Sequence, residues 1–158
     1  MNSIIVYTST HHGNTRKIAE RMAGSIGADL ADAVKEGCPD LTRYDLVGFA
    51  SGIYFHSFHE SLQKIARSAE FRPGQRVFLA DTCGVGYKNY CGGMGRLLEK
   101  RGVQILGSFQ CRGYDTYGIF GKLGGIAKGH PTEADLERAG EFAKEMRCKA
   151  EGGEENAH

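Results

Sequence analysis

Short apolar runs alternate with amphipathic stretches along the whole chain. The β-branched run over residues 3–7 has no helical stripe and predicts a buried strand. After a polar loop, apolar positions recur at helical spacing with charged residues between them, which predicts an amphipathic helix that ends near Gly27. The chain therefore opens with a strand, a loop and a helix.

The same alternation continues to the end of the chain. Further β-branched or aromatic runs predict strands at 46–50, 77–80 and 103–109, and the weak segment 28–34 is interpreted as an edge strand. Apolar stripes predict helices around residues 62–69, 94–98 and 136–146. Strands that alternate with helices indicate an α/β fold with a parallel sheet covered on both faces. Such sheets bind ligands beyond the carboxyl ends of their strands, so function is sought after Tyr7, Ala50, Ala80 and Phe109.

Local sequence also marks where helices begin and end. Ser57 and Glu60 are spaced as a capping box before the helix around residues 62–69. Thr132 and Asp135 are spaced as one before the helix around residues 136–146. Gly102 is expected to end the helix around residues 94–98, because glycine adopts the left-handed conformation that often follows a helix.

Length and composition fit one soluble globular domain. The chain has 158 residues, of which 41% are hydrophobic and 25% are charged, enough apolar material for one sizeable core. We expect a single domain over residues 1–150 and a frayed, disordered tail over 151–158. No apolar run approaches the roughly twenty residues that a transmembrane helix needs.

The charge balance argues against binding of nucleic acid or anionic lipid, and the first residues argue against secretion. Lys and Arg number 20 against 19 Asp and Glu, a formal charge of +1, so no broad field attracts nucleic acid or anionic lipid. The first residues lack the basic stretch and the longer apolar run of a secretory signal. A cytoplasmic location is therefore the expectation.

The cysteines and histidines do not form a recognisable metal-binding pattern. The five cysteines are odd in number and include no C-x-x-C pair, which favours free thiols over a disulfide framework or a zinc ribbon. Cys83 and Cys111 fall at the ends of strands expected to be neighbours, with Cys91 not far along the chain, so a redox thiol pair or a metal site is the alternative to buried free cysteines. His56 and His59 have no ligand-spaced partner and are interpreted as solvated or capping residues.

The loop over residues 8–15 is dense in hydrogen-bond donors. It holds four hydroxyls, an asparagine and a glycine, but no lysine and no acidic residue. Backbone N–H groups at a helix N-terminus, helped by hydroxyls, hold a phosphate without a cationic side chain, so a phosphomonoester is the predicted ligand. The alternative is that Thr10 or Asn14 only caps the helix. Neither G-x-x-x-x-G-K-[ST] nor G-x-G-x-x-G is present, which leaves a mononucleotide.

Aromatic residues follow the next two predicted strands. Tyr54 lies shortly after the strand at 46–50, and Tyr87 lies in a glycine-rich segment after the strand at 77–80. An exposed aromatic at a sheet edge is costly in water unless it packs against something flat, and two such loops facing each other would hold a planar ring. The alternative is that both are ordinary half-buried tyrosines.

Taken together, these loops resemble those of the flavodoxin family. The segment His12-Gly13-Asn14-Thr15 is similar to the loop that holds the phosphate of flavin mononucleotide (FMN), and the segment from Cys83 through Tyr87 to Gly92 is similar to the loop whose tyrosine stacks on the flavin ring. The likeness extends from residue 4 to about residue 146. It implies a flavodoxin-like three-layer sandwich with a five-stranded parallel sheet in the order 2-1-3-4-5, and noncovalent FMN as cofactor.

The resemblance also implies which residues contact the cofactor. The phosphate would be held by Ser9, Thr10, His12, Gly13, Asn14 and Thr15. One side of the ring would be lined by Ser51, Gly52, Ile53 and Tyr54. The other side would be lined by Thr82, Cys83, Gly84 and Tyr87.

The chain departs from the flavodoxin pattern in several places. The first loop is one residue longer than the commonest form, and the loop after Cys83 is one residue shorter. Tyr54 is followed by Phe55 and His56 where many flavodoxins have a glycine, and non-glycine residues resist a positive φ. Flavodoxins tend to be strongly acidic and this chain is not, so a different partner surface is expected.

The function implied by the resemblance is electron transfer between redox protein partners, a donor and an acceptor, with FMN supplying the chemistry and no catalytic residue from the chain. The alternative is an FMN-dependent oxidoreductase with its own substrate, such as a quinone reductase or a protoporphyrinogen-oxidase-like protein, because residues 51–54 and the nearby histidines are suited to line a pocket. A third hypothesis is a non-redox binding module that takes up no FMN. The donor, the acceptor and the oligomeric state are left open.

The segment 112–131 is long for a connection in a compact domain, and such connections are usually functional or disordered. It carries six glycines and three aromatic residues. We expect it to fold over the carboxyl edge of the sheet, where it shields the flavin or docks a partner; a surface excursion with a small local core is the alternative.

Overall fold

Six strands and five helices make up the part of the chain that the computed structural model describes, which is residues 1–9, 13–83, 89–112 and 131–155, with the backbone alone for 153–155. The strands are β1 (Ser3–Thr8), β2 (Asp29–Asp32), β3 (Leu46–Tyr54), β4 (Ser57–Phe58), β5 (Arg76–Cys83) and β6 (Gln104–Arg112). The helices are α1 (Asn14–Ile26), α2 (Ala33–Glu36), α3 (Glu60–Ser68), α4 (Cys91–Glu99) and α5 (Glu133–Glu155), with a 3-10 turn at Leu41–Arg43.

The sheet has the predicted topology. Its long strands lie in the order β2-β1-β3-β5-β6, and every neighbouring pair along that order is parallel. The two-residue β4 pairs antiparallel with the end of β3. Without β4 the order is 2-1-3-4-5, and the weak segment after α1 is indeed an edge strand. The fold class is therefore confirmed.

Helices cover both faces of the sheet, and the alternation of side chains along β3 shows how. Val47 and Phe49 pack into a core cluster with α3 and α4. Leu46 and Ala50 point the other way, into a cluster with α1 and α5. Successive residues of a strand face opposite sides of the sheet, so an apolar run with no polar alternation is what a doubly covered strand needs.

A close approach inside the α1 and α5 layer requires a glycine. A Cβ on Gly48 would lie 2.4 Å from Cζ of Phe78, which is fully buried. Phe78 also meets the ring of Phe142 edge-on, with centroids 5.8 Å apart. The absence of a side chain on β3 at this position therefore makes room for an aromatic ring on β5.

Three boundaries differ from the sequence-based expectations. β3 continues to Tyr54 rather than ending near Ala50, because its last residues pair with β4. The capping box predicted from Ser57 and Glu60 is wrong, since Ser57 belongs to β4 and His59 caps α3 by accepting from the Ser61 N–H. α4 ends at Glu99, three residues before the positive-φ Gly102.

The start and the end of α5 have clear physical causes. The predicted capping box is confirmed: the Thr132 N–H donates to Asp135 Oδ2 at 2.8 Å, and the Asp135 N–H donates to Thr132 Oγ1 at 3.1 Å. The helix then continues to Glu155, across most of the segment predicted as a frayed tail. Arg147 ties this end to α1 by donating to the carbonyl of Ile26 at 2.8 Å.

Two further expectations concern the long segment before α5 and the possibility of a membrane-spanning helix. Residues 113–130, predicted to fold over the carboxyl edge, lie outside the described residues. Among the helices that are described, none is both long enough and apolar enough to span a membrane.

Candidate functional site at the carboxyl edge of the sheet

A row of polar side chains crosses the sheet where the strands end. Thr8, Ser51, Asp81 and Gln110 are register partners on β1, β3, β5 and β6. The first three are buried, with exposures of 0%, 0% and 1%. Burying polar groups costs free energy unless they are hydrogen-bonded, so each member of this row should have a structural or functional reason. The row marks the transition from apolar core to candidate site.

On the α3 side the row is satisfied by hydroxyls. Thr8 Oγ1 lies 2.7 Å from Ser61 Oγ, which in turn lies 2.8 Å from Nδ1 of His59. Ser51 Oγ accepts the His59 N–H at 2.9 Å. These bonds tie the first turn of α3 to the ends of β1 and β3, and they confirm the interpretation of His59 as a capping residue.

The N-terminus of α1 has no side-chain cap. Its N-cap residue is Gly13, in the left-handed conformation with φ of 65°, which has no side chain to accept from the first helical N–H groups. The first turn also lacks acidic residues. The first N–H groups of a helix and the helix dipole give such an end a partial positive charge, which suits an anion. The alternative that Asn14 only caps the helix is wrong, because Asn14 is the first helical residue.

Two buried residues in this region fix the geometry of the helix start. Asn14 and Thr15 are 8% and 2% exposed. Thr15 Oγ1 lies 2.8 Å from Oγ1 of Thr82 on β5, in a buried bond. The helix start is thereby fixed against the carboxyl end of β5.

Ser9, the residue directly after β1, has an unsatisfied hydroxyl. Its Oγ is buried and has no hydrogen-bond partner among the described residues. An unsatisfied buried polar atom costs about 1–3 kcal/mol, so native proteins rarely keep one without a reason. The hydroxyl lies in the loop that joins β1 to the uncapped end of α1, where it is available to an anionic ligand.

The turn between β3 and β4 is strained. Phe55 and His56 have φ values of 49° and 67°. The expectation that these non-glycine residues would avoid positive φ is therefore wrong. The two-residue hairpin explains it, because such turns match the twist of their strands only when both central residues are left-handed. Phe55 is 82% exposed at the tip of this turn.

The aromatic side chains beside this turn pack closely. Tyr54 meets the ring of His59 edge-on, with centroids 5.0 Å apart, and lies over Gly52, where a Cβ would be 3.2 Å from its hydroxyl. His56 stacks on Tyr90, with centroids 6.2 Å apart. Residues 51–54 thus form one wall of the site, completed by aromatic rings.

Asp81 is a buried carboxylate that the sequence analysis did not assign to the site. Its Oδ2 accepts from Cys91 Sγ at 3.3 Å and from Gln110 Nε2 at 3.4 Å, while Oδ1 has no partner among the described residues. Burial raises the pKa of Asp81 to about 6, although hydrogen bonds from Cys91, Gln110 and Cys83 favour the ionised form. The signal in the sequence was a lone acidic residue inside the apolar run of β5.

The thiols of Cys91 and Cys111, near this edge, are buried and protonated at neutral pH. No disulfide joins any of the five cysteines, all of which lie in the described part of the chain. Burial raises the pKa of Cys111 to about 12 and raises that of Cys91 as well, so neither is a thiolate at neutral pH. No cluster of three metal-ligating side chains occurs within the described ranges.

The structure brings most of the predicted site residues to one edge of the sheet. The described members, at the ends of β1, β3 and β5 and the start of α1, are Ser9, Gly13, Asn14, Thr15, Ser51, Gly52, Ile53, Tyr54, Thr82 and Cys83. The remaining four, Thr10, His12, Gly84 and Tyr87, lie outside the described residues. The sequence analysis missed Asp81 and Ser61, which complete the polar row from β5 and α3.

Comparison with known proteins agrees with this geometry. A family model for the flavodoxin domain matches residues 4–72. An uncharacterized protein of Methanocaldococcus jannaschii is 38% identical over 148 residues, which cover 92% of this chain and 98% of that protein. The relationship therefore extends over nearly the whole chain.

Solved structures support the fold. A flavodoxin from the domain Archaea matches with a TM-score of 0.66 at 14% identity, covering 96% of this chain and 99% of that one. A flavodoxin, WrbA-like protein from Agrobacterium tumefaciens matches with a TM-score of 0.68 at 19% identity, covering 96% and 98%. At such identities the likeness concerns the fold alone. With the family match over the first strands, the near full-length relative and the sheet order described above, the chain belongs to the flavodoxin family.

Proposed function

We propose that this protein binds FMN noncovalently and carries electrons between redox partners. The observations that support it most are the start of α1, whose N-cap Gly13 has no side chain, and the Ser9 hydroxyl directly after β1, which has no partner among the described residues. β1 has β2 on one side and β3 on the other, so this is the point where the strand order reverses. Open α/β sheets bind their ligands at that point.

The described residues fit a phosphomonoester. Ser9 offers a hydroxyl, and the first N–H groups of α1 offer donors aligned with the helix dipole. No described residue beyond its chain neighbours lies within 4 Å of where a Cβ on the left-handed Gly13 would be, which leaves room for a close ligand on the side that these residues face. The proposed phosphate set is the predicted one, Ser9, Thr10, His12, Gly13, Asn14 and Thr15.

The ring of the cofactor is proposed to lie between the two predicted walls. Residues 51–54 would cover one side, and Thr82, Cys83, Gly84 and Tyr87 the other. When bound, FMN supplies the redox chemistry by accepting and releasing electrons at its ring. The chain's part is to hold the phosphate, to cover the ring with uncharged groups and to exclude water.

Two of the acid–base groups described at this edge, Asp81 and His59, are engaged by other residues, and this supports electron transfer over substrate turnover. Asp81 is sealed from solvent and accepts from Cys91 and Gln110. His59 uses Nδ1 to cap α3. A carrier needs no general acid or base, whereas an oxidoreductase with its own substrate commonly uses one in contact with the substrate.

The first experiment is the visible spectrum of the purified protein, followed by FMN titration of the flavin-free chain with flavin fluorescence as readout. Absence of FMN uptake would refute the proposal. Steady reduction of a quinone by NAD(P)H with the purified protein alone would favour the alternative, an FMN-dependent oxidoreductase.

A matched pair of variants tests the phosphate site. Ser9→Ala removes a donor to a charged group, a loss of about 1.5–3 kcal/mol, so FMN should bind about 10–100-fold more weakly. Ser68→Ala is the control, because its hydroxyl bonds the Lys64 carbonyl at 2.7 Å on the exposed last turn of α3. Equal FMN affinity in the two variants would remove Ser9 from the site.

A further inference from the structure

A groove between α3 and α4 begins beside the β3–β4 turn. We call it the α3–α4 groove; it starts at His56 and Tyr90, follows the two helices to Lys100, and encloses about 540 Å³. The end at His56 and Tyr90 therefore lies next to the proposed flavin site, and side chains of α3 and α4 line the rest of the groove. A pocket of this size matches the range of known ligand and docking sites.

The groove is lined with positive charge. It is lined by Arg67 on α3, Arg96 on α4 and Lys100 directly after α4, and all three are exposed. Arg67 donates to Gln63 Oε1 at 3.2 Å, but no described carboxylate forms an ion pair with any of the three. No acidic residue is among the described groups that line the groove. Its charge is thus uncompensated.

The Arg96 guanidinium lies near two glycines of its own helix. Its guanidinium nitrogens lie 3.4 and 4.0 Å from where Cβ atoms on Gly92 and Gly93 would be. Side chains on those residues would meet the guanidinium at ordinary van der Waals distance, and glycine inside a helix costs up to about 1 kcal/mol relative to alanine. The two glycines therefore leave the first turn of α4 open for a cation that points back toward the carboxyl edge.

The charges are spread along the groove rather than gathered at one point. Arg67 and Lys100 lie at the far ends of their helices, while the Arg96 guanidinium covers the near end of α4. A nine-residue helix is about 13 Å long, which exceeds the reach of one phosphate group. A strip of carboxylates on a protein surface complements such a distribution.

We propose that the α3–α4 groove docks the acidic surface of a redox protein, through Arg67, Arg96 and Lys100. This inference rests on the proposed electron-transfer function and names the chemistry of the partner. The net charge of the chain is only +1, so an acidic partner would be attracted by a local basic patch rather than by the whole surface.

The test uses a reduced plant-type ferredoxin, an acidic one-electron protein, as probe and the FMN-loaded chain as acceptor. Each ferredoxin cluster gives up one electron and is oxidised, so two equivalents reduce one flavin, with its protons taken from water. The rate of flavin bleaching in a stopped-flow instrument should fall as salt rises, because opposite charges are screened.

Two triple variants separate the groove from net charge. Arg67→Gln with Arg96→Gln and Lys100→Gln should slow reduction about tenfold or more at low salt and flatten its salt dependence. Arg43→Gln with Lys144→Gln and Lys149→Gln removes the same charge elsewhere and should change the rate by no more than about threefold. Equal losses in both variants, or no reduction by ferredoxin at any salt concentration, would overturn the proposal.

A second readout needs no flavin. A carbodiimide joins a lysine amine to a carboxylate without a spacer, so the flavin-free chain mixed with ferredoxin should yield a cross-link at Lys100, mapped by mass spectrometry. Absence of that cross-link would contradict the docking surface.

If NADPH instead reduces the flavin and only this reaction is lost in the groove variant, the groove binds a nucleotide and the proposal fails. Failure to bind FMN would defeat the proposed function, whereas an FMN-loaded protein with an insensitive groove would defeat this inference only.

Discussion

Asp81 makes a specific prediction because the fold buries it with one oxygen unpartnered among the described residues. Asp81→Asn keeps the shape and an oxygen to accept from Cys91 and Gln110, but removes the ionisation. In the unfolded chain an aspartate has a pKa of 3.8, and burial raises the pKa of Asp81 to about 6. The folded protein therefore binds this proton more tightly than the unfolded chain does, and the wild type loses stability as pH rises through that range.

The size of the effect follows from the two pKa values. One pKa unit corresponds to about 1.4 kcal/mol, so ionisation of Asp81 costs about 3 kcal/mol in total, and about half of that cost falls between pH 5 and pH 8. Asp81→Asn should escape this cost. Its free energy of unfolding relative to wild type should rise by about 1.5 kcal/mol from pH 5 to pH 8.

Urea unfolding of the flavin-free protein at pH 5, 6, 7 and 8 measures this difference. Comparing pH values cancels any cost of the amide group itself. Asp45→Asn is a control whose difference from wild type should stay constant from pH 5 to pH 8. The N–H of Asn2 and, to a smaller extent, Arg72 lower the pKa of Asp45, so its stabilising effect is lost only at more acidic pH. A gap between wild type and Asp81→Asn that stays constant from pH 5 to pH 8 would refute the reasoning.

Three further changes test the packing, the strained turn and the helix start by urea unfolding. Gly48→Ala should cost about 1–3 kcal/mol by pushing against the buried Phe78, and adding Phe78→Leu should recover part of that loss; no recovery would contradict the steric explanation. Phe55→Asn should raise stability by up to about 1 kcal/mol, because asparagine tolerates φ of 49° better, and a loss would indicate that the Phe55 ring packs favourably. Thr132→Ala should lower stability by about 1 kcal/mol by leaving the Asp135 N–H without its cap, and Asp135→Ala, which removes the other half of the box, should cost at least as much.

Much of the architecture was predictable because it depends on local pattern. The apolar runs and helical stripes predicted every long strand and helix, since a doubly covered parallel strand is apolar throughout and an amphipathic helix repeats every 3.6 residues. The capping box of Thr132 and Asp135 was predictable for the same reason, as both partners lie within one turn. The position of the loop between β1 and α1 was predictable because it directly follows a buried strand.

The tertiary structure decided what depends on partners distant in sequence. Ser57 has the spacing of a cap, but pairing of β4 with the end of β3 places it in a strand and leaves the cap to His59. Positive φ at Phe55 and His56 follows from that same hairpin, which overrides local preference. The burial of Asp81 and the opposition of Gly48 and Phe78 arise only when β5 lies beside β3. Local sequence determines which elements form, because helical hydrogen bonds and side-chain periodicity are local. Packing decides which polar groups are buried and which cations have no acidic partner nearby, because both depend on what the fold brings next to them.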